Sequence, residues 1–154
     1  TVELINDGVH VVAPVARMLH ELVPGRIALI TDAMAATGLH DGSYHLGSLP
    51  VEVKDSVARL VTADGTQGAI AGSTLTMDEA VKRAVAEVGL SSFDAVKSAG
   101  FVPLRAVGGV PESGDSLQAA GGAPGAGSLL APGMPADLLL LDEDMSIRAS
   151  SLGD

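Results

Sequence analysis

Asp32 combines a residue type and a position that are suited to chemistry. It directly follows Ile27-Ala28-Leu29-Ile30-Thr31, a short apolar run that is typical of a strand buried on both faces. A carboxylate at the C-terminal end of a buried parallel strand lies where α/β enzymes place catalytic groups, and it can act there as a general base. The alternative is that Asp32 only caps the following turn with its side chain, and its position alone does not decide between the two.

Histidine is the second residue type to consider. His10 follows Gly8, which allows a sharp backbone turn, so its imidazole could donate a hydrogen bond to a substrate oxygen at a loop tip. A surface histidine, or one packed at the start of a helix, explains the same pattern. The other three histidines do not pair at metal-ligand spacing, and the sequence contains neither H-x-H nor H-E-x-x-H. The sequence therefore shows no complete metal site.

A third candidate is Ile70-Ala71-Gly72-Ser73-Thr74-Leu75, in which glycine and hydroxyl groups precede a predicted helix. Free N–H groups at a helix N-terminus favour anions or sugar hydroxyls, so these residues could contact a substrate. Helix capping by Ser73, Thr74 or Thr76 accounts for the same residues. Both interpretations stay open on the sequence alone.

The elements that must position these residues follow from the spacing of apolar side chains. Helical spacing over 11–22 predicts an amphipathic helix that ends at Pro24-Gly25, before the buried strand. Its apolar residues are Val12, Val15, Met18, Leu19 and Leu22. Short β-like pieces over 44–60 predict an antiparallel excursion with turns at Gly47-Ser48 and Asp55-Ser56.

Two further helices are predicted downstream. Thr76-Met77-Asp78-Glu79 has the spacing of a capping box, in which the Thr hydroxyl and the Glu carboxylate satisfy free N–H groups of the first turn. This helix should end at Gly89, which readily adopts the left-handed conformation. Its apolar face comprises Met77, Ala80, Val81, Ala84, Val85 and Val88. A shorter helix should begin at Ser91 or Ser92 and run through Phe93, Val96 and Ala99.

Composition limits the fold and the partners. The 154 residues suffice for one domain, and because 47% are hydrophobic but only 2% aromatic, the core must be aliphatic, as in parallel α/β proteins. A formal charge of −10 argues against nucleic acid or an anionic membrane as partner. No run approaches the about 18 apolar residues of a membrane span, and the first residues do not resemble a secretory leader, so we expect a cytoplasmic protein. With zero cysteines, a metal would need His and carboxylate ligands.

The last third of the chain is less regular. Residues 108–127 are rich in Gly, Pro, Ser and Ala without periodicity, which predicts a loop. Beyond it, Pro132-Gly133 separates Ser128-Leu129-Leu130 from a run over 136–141, the outline of a closing β-hairpin. The chain begins without Met and meets its first strong feature within a few residues, so we expect it to be an internal piece of a longer protein.

Five segments, in this order, resemble successive motifs of the N-acetylglucosamine-6-phosphate deacetylases, a family of metal-dependent amidohydrolases. They are Asn6-Asp7-Gly8-Val9-His10, Leu29-Ile30-Thr31-Asp32-Ala33, Ala71-Gly72-Ser73-Thr74-Leu75-Thr76-Met77, Pro103-Leu104-Arg105-Ala106 and Pro132 to Leu138. The resemblance covers nearly the whole chain, and the first and third segments are the more specific to the family. Residues 109–127 depart from it, because they are longer and looser than the family's usual connection.

The resemblance implies an α/β fold in which the chain is the C-terminal portion of a metal-dependent amidohydrolase (β/α)₈ barrel plus strands of a small β-sandwich domain. Residues 1–107 would belong to the barrel, with the hairpin excursion at about 44–60, 108–127 would be a Gly/Pro-rich loop, and 128–154 would supply sandwich strands. The implied cofactor is a divalent metal, zinc, whose main Glu and His ligands lie on strands absent from this chain. A homodimer is implied for the full-length protein.

The implied reaction is hydrolytic deacetylation of N-acetylglucosamine 6-phosphate to glucosamine 6-phosphate and acetate in amino-sugar catabolism. By this resemblance Asp32 takes a proton from a metal-bound water and returns it to the departing amine. His10 would contact the phosphorylated amino-sugar substrate, and Ile70, Ala71 and Gly72 would form the loop that touches the sugar. We expect the isolated chain to be inactive.

Two other functions stay open at this point. Asp32 and the Ala136-Asp137-Leu138 ending would equally serve other amidohydrolases, such as dihydroorotases or dipeptidases. A non-catalytic, acidic α/β binding domain is also compatible with a chain that lacks metal ligands.

Overall fold

The computed structural model describes residues 1–108 and 138–151 of the chain. The strands are β1 (Val2–Ile5), β2 (Ile27–Ile30), β3 (Gly42–Leu46), β4 (Leu49–Lys54), β5 (Val57–Val61), β6 (Gln67–Ile70), β7 (Leu138–Leu141) and β8 (Ile147–Ser151). The helices are α1 (Ala13–Leu22), α2 (Met77–Arg83), α3 (Ser92–Ala99) and α4 (Phe101–Ala106), and a π-helical turn, Ala84–Val88, continues α2. Within the described residues the strands form a parallel pair β1–β2, an antiparallel sheet in the order β3–β4–β5–β6, and an antiparallel pair β7–β8.

The parallel pair lies in one of two hydrophobic cores. β1 and β2 pair in register from Val2 opposite Ile27 to Ile5 opposite Ile30. Ile27 and Leu29 are 0% and 1% exposed. The buried residues of this core are Leu4, Ala16, Ile27, Leu29, Val81, Ala84, Val88, Ala95 and Met145. Because the two strands are parallel and end together, the loops that follow them leave the sheet at the same edge, where ligands bind in α/β proteins.

Helix α1 confirms the helix predicted from the apolar spacing, but its packing differs from that pattern. Ala16 is its buried residue and faces the core. Val12, Val15 and Leu22 are 55%, 41% and 68% exposed. Periodicity therefore identifies the helix, whereas much of the apolar surface that produces the periodicity faces away from the core of this chain.

The antiparallel sheet contains the predicted turns and one further strand. Asp55 and Ser56, between β4 and β5, have φ of 51° and 62°, the left-handed pair that a type I′ turn requires. The sequence does not predict β6, because Gln67-Gly68-Ala69-Ile70 has low β-propensity. Pairing with β5 fixes this strand, and Arg59 Nη1 donates to the Gly68 carbonyl at 3.2 Å. The sheet packs over the second core, which comprises Met34, Ala36, Val51, Val53, Ala58 and Ala71.

Helix α2 begins where the sequence predicts, but not through the predicted cap. Thr76 is the N-cap residue, yet its side chain makes no capping hydrogen bond. The Thr76 side chain instead holds the pKa of Asp78 below its usual value, against the smaller opposing effect of burial. Gly89 ends the helical segment with φ of 82°, as predicted. Ser91 caps α3, since its hydroxyl oxygen accepts from the N–H of Asp94 at 3.1 Å.

The C-terminal strands β7 and β8 form a pair that the sequence does not predict. The partner of β7 is β8, over residues 147–151 that the sequence leaves as a polar end. The predicted partner, Ser128-Leu129-Leu130, and most of the predicted loop lie outside the described residues. Met145, in the turn between β7 and β8, is 7% exposed and joins this pair to the first core. No helix in the two described ranges combines the length and apolar character needed to cross a bilayer.

Candidate functional site

The loop after β1 is held against α2 by one buried side chain and approaches Arg83 closely at one glycine. Asn6 is 3% exposed, and its Nδ2 donates to the carbonyl oxygen of Ala80 at 2.9 Å. Gly8 has φ of 76°, and a Cβ there would collide with the guanidinium of Arg83. Arg83 in turn donates through Nη2 to Glu87 at 2.7 Å. The backbone of this loop therefore has a defined path over the middle and the C-terminal end of α2.

Asp7 fixes the orientation of His10 within this loop. One carboxylate oxygen of Asp7 accepts from the backbone N–H groups of Val9 and His10, each at 2.9 Å. The other lies 2.7 Å from His10 Nδ1. A neutral imidazole in this arrangement carries its proton on Nδ1, so Nε2 is left to accept from a ligand, or to donate once the ring is protonated. Burial raises the pKa of Asp7, but the bonds from His10 and Val9 outweigh it and hold that pKa below its usual value.

Replacing Asp7 by Asn tests this orientation. The amide oxygen can still accept the two backbone bonds, but the amide N–H favours the His10 tautomer with an unprotonated Nδ1. Because the pKa of Asp7 is lowered on folding, its contribution to stability is complete above about pH 4 and is lost as the pH falls through the lowered pKa.

We therefore expect Asp7→Asn to unfold at a lower temperature than the parent at neutral pH, by the equivalent of no more than about 1 kcal/mol because solvent screens the pair. The difference should shrink as the pH falls below about 4. Thermal unfolding measured by circular dichroism gives this difference, and ¹⁵N chemical shifts give the tautomer. A stability difference independent of pH would contradict the assignment.

Asp32 leaves the same sheet edge as Asp7, because each lies two residues beyond the paired Ile5 and Ile30. Asp32 is exposed, and its carboxylate has no hydrogen-bond partner within residues 1–108 and 138–151. The alternative that it serves as a turn cap therefore has no support in the described chain. Its φ is 51°, a conformation that Asp tolerates better than most residues but that still costs on the order of 1 kcal/mol. Such strain at an exposed, unbonded carboxylate is typical of a functional position.

The loop predicted to touch a sugar lies beside Asp32, but its side chains differ in their access. Ile70 is half-buried at the end of β6, and Ala71 is 4% exposed in the second core. The N–H of Ala71 donates to Ala58 at 3.0 Å, so only its carbonyl could meet a ligand. A Cβ at Gly72 would lie 3.0 Å from the carbonyl oxygen of Asp32. A side chain at Gly72 would therefore crowd the backbone of Asp32, and the φ of 68° at Gly72 also favours glycine.

A cavity of about 460 Å³ lies beside the loop after β1. Its lining comprises Asp7, Val9, Asp55, Ser56, Thr74, Leu75, Thr76, Glu79 and Arg83. Thr74 Oγ1 donates to the carbonyl oxygen of Ser56 at 2.6 Å and so links two of its walls. Arg83 is the only cation in a lining that contains three carboxylates. Neither Asp32 nor His10 belongs to this lining, so the described residues do not join the predicted site residues into one pocket.

Two residues of this region are missed by the sequence interpretation. Asp7 lies three residues before His10, a spacing at which an Asp side chain accepts from its own turn, and this signal could have identified it. The sequence offers Ser73 only as a helix cap or a substrate contact, whereas its hydroxyl donates to the carbonyl oxygen of Thr31, a partner that is remote in sequence. Within residues 1–108 and 138–151, no group of three His, Asp or Glu side chains could hold a metal ion.

Comparison with known proteins gives consistent matches, although no family model matches the chain. The chain is 36% identical over 107 residues to the N-acetylglucosamine-6-phosphate deacetylase of Vibrio furnissii. These residues make up 70% of this chain and 26% of that protein. It is 38% identical over 106 residues to the N-acetylgalactosamine-6-phosphate deacetylase of Escherichia coli O157:H7, covering 69% of this chain and 27% of that protein.

A solved structure matches over a longer part of the chain. It is a mutant N-acetyl-D-glucosamine-6-phosphate deacetylase from Mycobacterium smegmatis, in complex with N-acetyl-D-glucosamine-6-phosphate. It superposes with a TM-score of 0.74 at 42% identity and covers 98% of this chain and 36% of that one. The chain therefore spans between a quarter and two fifths of the length of the proteins that it matches here.

Proposed function

We propose a function on the premise that this chain matches a partial region of the N-acetylglucosamine-6-phosphate deacetylases in sequence and in α/β fold. A protein carrying this chain hydrolyses N-acetylglucosamine 6-phosphate to glucosamine 6-phosphate and acetate. The observation that carries the proposal is the match over 98% of the chain to a deacetylase in complex with this sugar phosphate. In this proposal residues 1–107 belong to a (β/α)₈ barrel and residues 128–154 contribute strands to a small β-sandwich domain.

Asp32 is the general acid–base in this proposal. Hydrolysis of an acetamide needs one group that removes a proton from the attacking water and then delivers it to the departing nitrogen. An exposed, unbonded carboxylate at the end of a buried parallel strand can perform both transfers with one proton. The leaving amine departs as a neutral group only if that proton reaches it, so the same side chain serves both halves of the reaction.

His10 and the loop over 70–72 orient the substrate. With Asp7 held at Nδ1, His10 Nε2 is the ring nitrogen available to a sugar or acetyl oxygen. Gly72 lies against the Asp32 backbone, so a sugar bound along Ile70, Ala71 and Gly72 would lie next to the catalytic carboxylate. This adjacency supports a substrate position that Asp32 and the loop over 70–72 share.

A divalent metal, zinc, is the cofactor that we propose for the complete protein. The described residues do not fit a metal site by themselves, since no three potential ligands lie together among them. The main ligands would therefore come from the part of the relatives that this chain does not match. The complete protein is proposed to be a homodimer, and a cytoplasmic location follows from a phosphorylated substrate whose charge prevents free passage through a bilayer.

N-Acetylgalactosamine 6-phosphate is the second candidate substrate. A relative with this activity in its name is 38% identical over 106 residues, close to the 36% over 107 residues of the relative named an N-acetylglucosamine-6-phosphate deacetylase. The two sugars differ only in the configuration at C4, which none of the proposed chemical steps involves.

Acetate release by the zinc-loaded protein that carries this chain tests the proposal. We expect release from N-acetylglucosamine 6-phosphate, with a higher kcat/KM than from its galactose epimer, and little release from the unphosphorylated sugar. Preference for the epimer would transfer the assignment to the second candidate. Absence of release from either phosphate would refute the deacetylase proposal.

A further inference from the structure

Ser73 is a buried polar residue for which the proposed chemistry has no direct use. It is 3% exposed and lies between the second core and the start of α2. Its hydroxyl donates to the carbonyl oxygen of Thr31 and accepts from the N–H of Leu75 at 3.1 Å. Both hydroxyl roles are therefore satisfied by backbone groups of two segments that are far apart in the sequence.

The backbone of Ser73 also forms hydrogen bonds to the turn that contains Asp32. The N–H of Ser73 donates to the carbonyl oxygen of Asp32 at 2.7 Å, and its carbonyl oxygen accepts from the N–H of Met34 at 2.9 Å. Thr37 adds a bond from its hydroxyl to the same carbonyl at 3.2 Å. Three residues of one turn, Thr31, Asp32 and Met34, are thus hydrogen-bonded to one serine, which is the bridge partner of Ala33 between them.

These hydrogen bonds between Ser73 and the turn over 31–34, here called the clamp, account for the strained backbone of Asp32. A non-glycine residue with φ of 51° persists only where surrounding contacts determine its conformation. The carboxylate itself makes no bond that could hold it within the described residues, so its direction depends on the backbone. Gly72 completes the arrangement, because its lack of a Cβ lets residue 73 approach this closely.

We infer that Ser73 is a positioning residue, whose hydroxyl and backbone hold the Thr31–Met34 turn so that the Asp32 carboxylate points at the reacting amide. This inference rests on the proposed deacetylase function. Ser73 touches neither substrate nor water in this role and acts only through Asp32. Its loss should therefore lower kcat and leave KM nearly unchanged.

Ser73→Ala in the complete, zinc-loaded protein tests the inference. We expect kcat for N-acetylglucosamine 6-phosphate to fall by about 10- to 100-fold, the loss typical of a catalytic group displaced by about 1 Å. Hydrogen exchange of the peptide that covers 31–37 should become faster. Ser73→Thr, which keeps the hydroxyl, should restore most of kcat. Ser98→Ala removes another buried serine, 4% exposed on α3, and should change neither kcat nor exchange over 31–37.

The outcomes separate this inference from the function on which it rests. If Ser73→Ala keeps full kcat while Asp32→Asn is inactive, the function stands and the positioning role is refuted. Unchanged exchange over 31–37 refutes it whatever the activity. An inactive parent with faster exchange in the variant refutes the function, and with it the catalytic role of the clamp. If Ser73→Ala fails to fold, Ser73→Cys replaces it, because the cysteine side chain has a similar volume and a weak S–H donor. We expect Ser73→Cys to give an intermediate kcat, and a normal kcat would refute the inference.

Discussion

Replacing Asp32 by Asn is expected to lower kcat for acetate release by about 10³-fold in the complete protein, within the range of about 10²- to 10⁴-fold for loss of a general acid–base. Asn has nearly the same shape but cannot take up or deliver a proton. It also tolerates the left-handed conformation that Asp32 adopts with φ of 51°, so the turn should be preserved. KM should change little, because the loss falls on the transition state. Initial rates with saturating N-acetylglucosamine 6-phosphate provide the measurement.

A matched control is available at another exposed aspartate. Asp64 lies in the turn between β5 and β6, where bonds from Thr62 and Thr66 lower its pKa to about 2. Asp64→Asn makes the same chemical change and should leave kcat within experimental error of the parent. Equal activity of Asp32→Asn and the parent would remove Asp32 from the mechanism, and a similar loss at both positions would indicate a general effect of charge.

Replacing Leu29 by Ala should cost about 2–5 kcal/mol in the free energy of unfolding, the usual range for a leucine truncated in a packed core. Leu29 is 1% exposed and lies in the buried strand β2, packed with residues of α1, α2 and α3. Truncation would leave a cavity at the point where these helices meet the parallel pair, and the surrounding elements cannot all close on it. Urea unfolding followed by circular dichroism measures the difference.

Leu29→Met is the control at the same position. It nearly conserves volume and should cost less than about 1.5 kcal/mol. If Ala and Met destabilise equally, the loss comes from something other than a cavity. If Ala costs less than about 1 kcal/mol, Leu29 does not lie at the centre of the core of the complete protein.

Local signals in the sequence determined most of the elements. The helix over 11–22, the strand that precedes Asp32 and the Asp55-Ser56 turn each depend on neighbouring residues, through periodicity, a continuous apolar run and left-handed turn chemistry. Gly89 likewise ends its helical segment through its own backbone conformation. Such features are readable because the residues that cause them lie within one or two turns of each other.

Pairing and burial were decided by tertiary contacts. β6 has a sequence with low β-propensity and becomes a strand because β5 offers it a partner. The polar run over 147–151 becomes a strand beside β7 for the same reason. In α1 the small residue Ala16 faces the core, where neighbouring elements approach closely, whereas the larger Val15 and Leu22 stay exposed.

The candidate site divides in the same way. The sequence by itself makes Asp32 a candidate, because a carboxylate that ends a buried strand is a local pattern. A family resemblance makes His10 and the loop over 70–72 candidates, and their roles stay predictions. It did not reveal that Asp7 orients His10, or that Ser73 holds the turn of Asp32 from 42 residues beyond Thr31. Hydrogen bonds of this kind leave no periodic trace in a sequence, because their geometry exists only after the parallel pair and the antiparallel sheet have brought the two segments together.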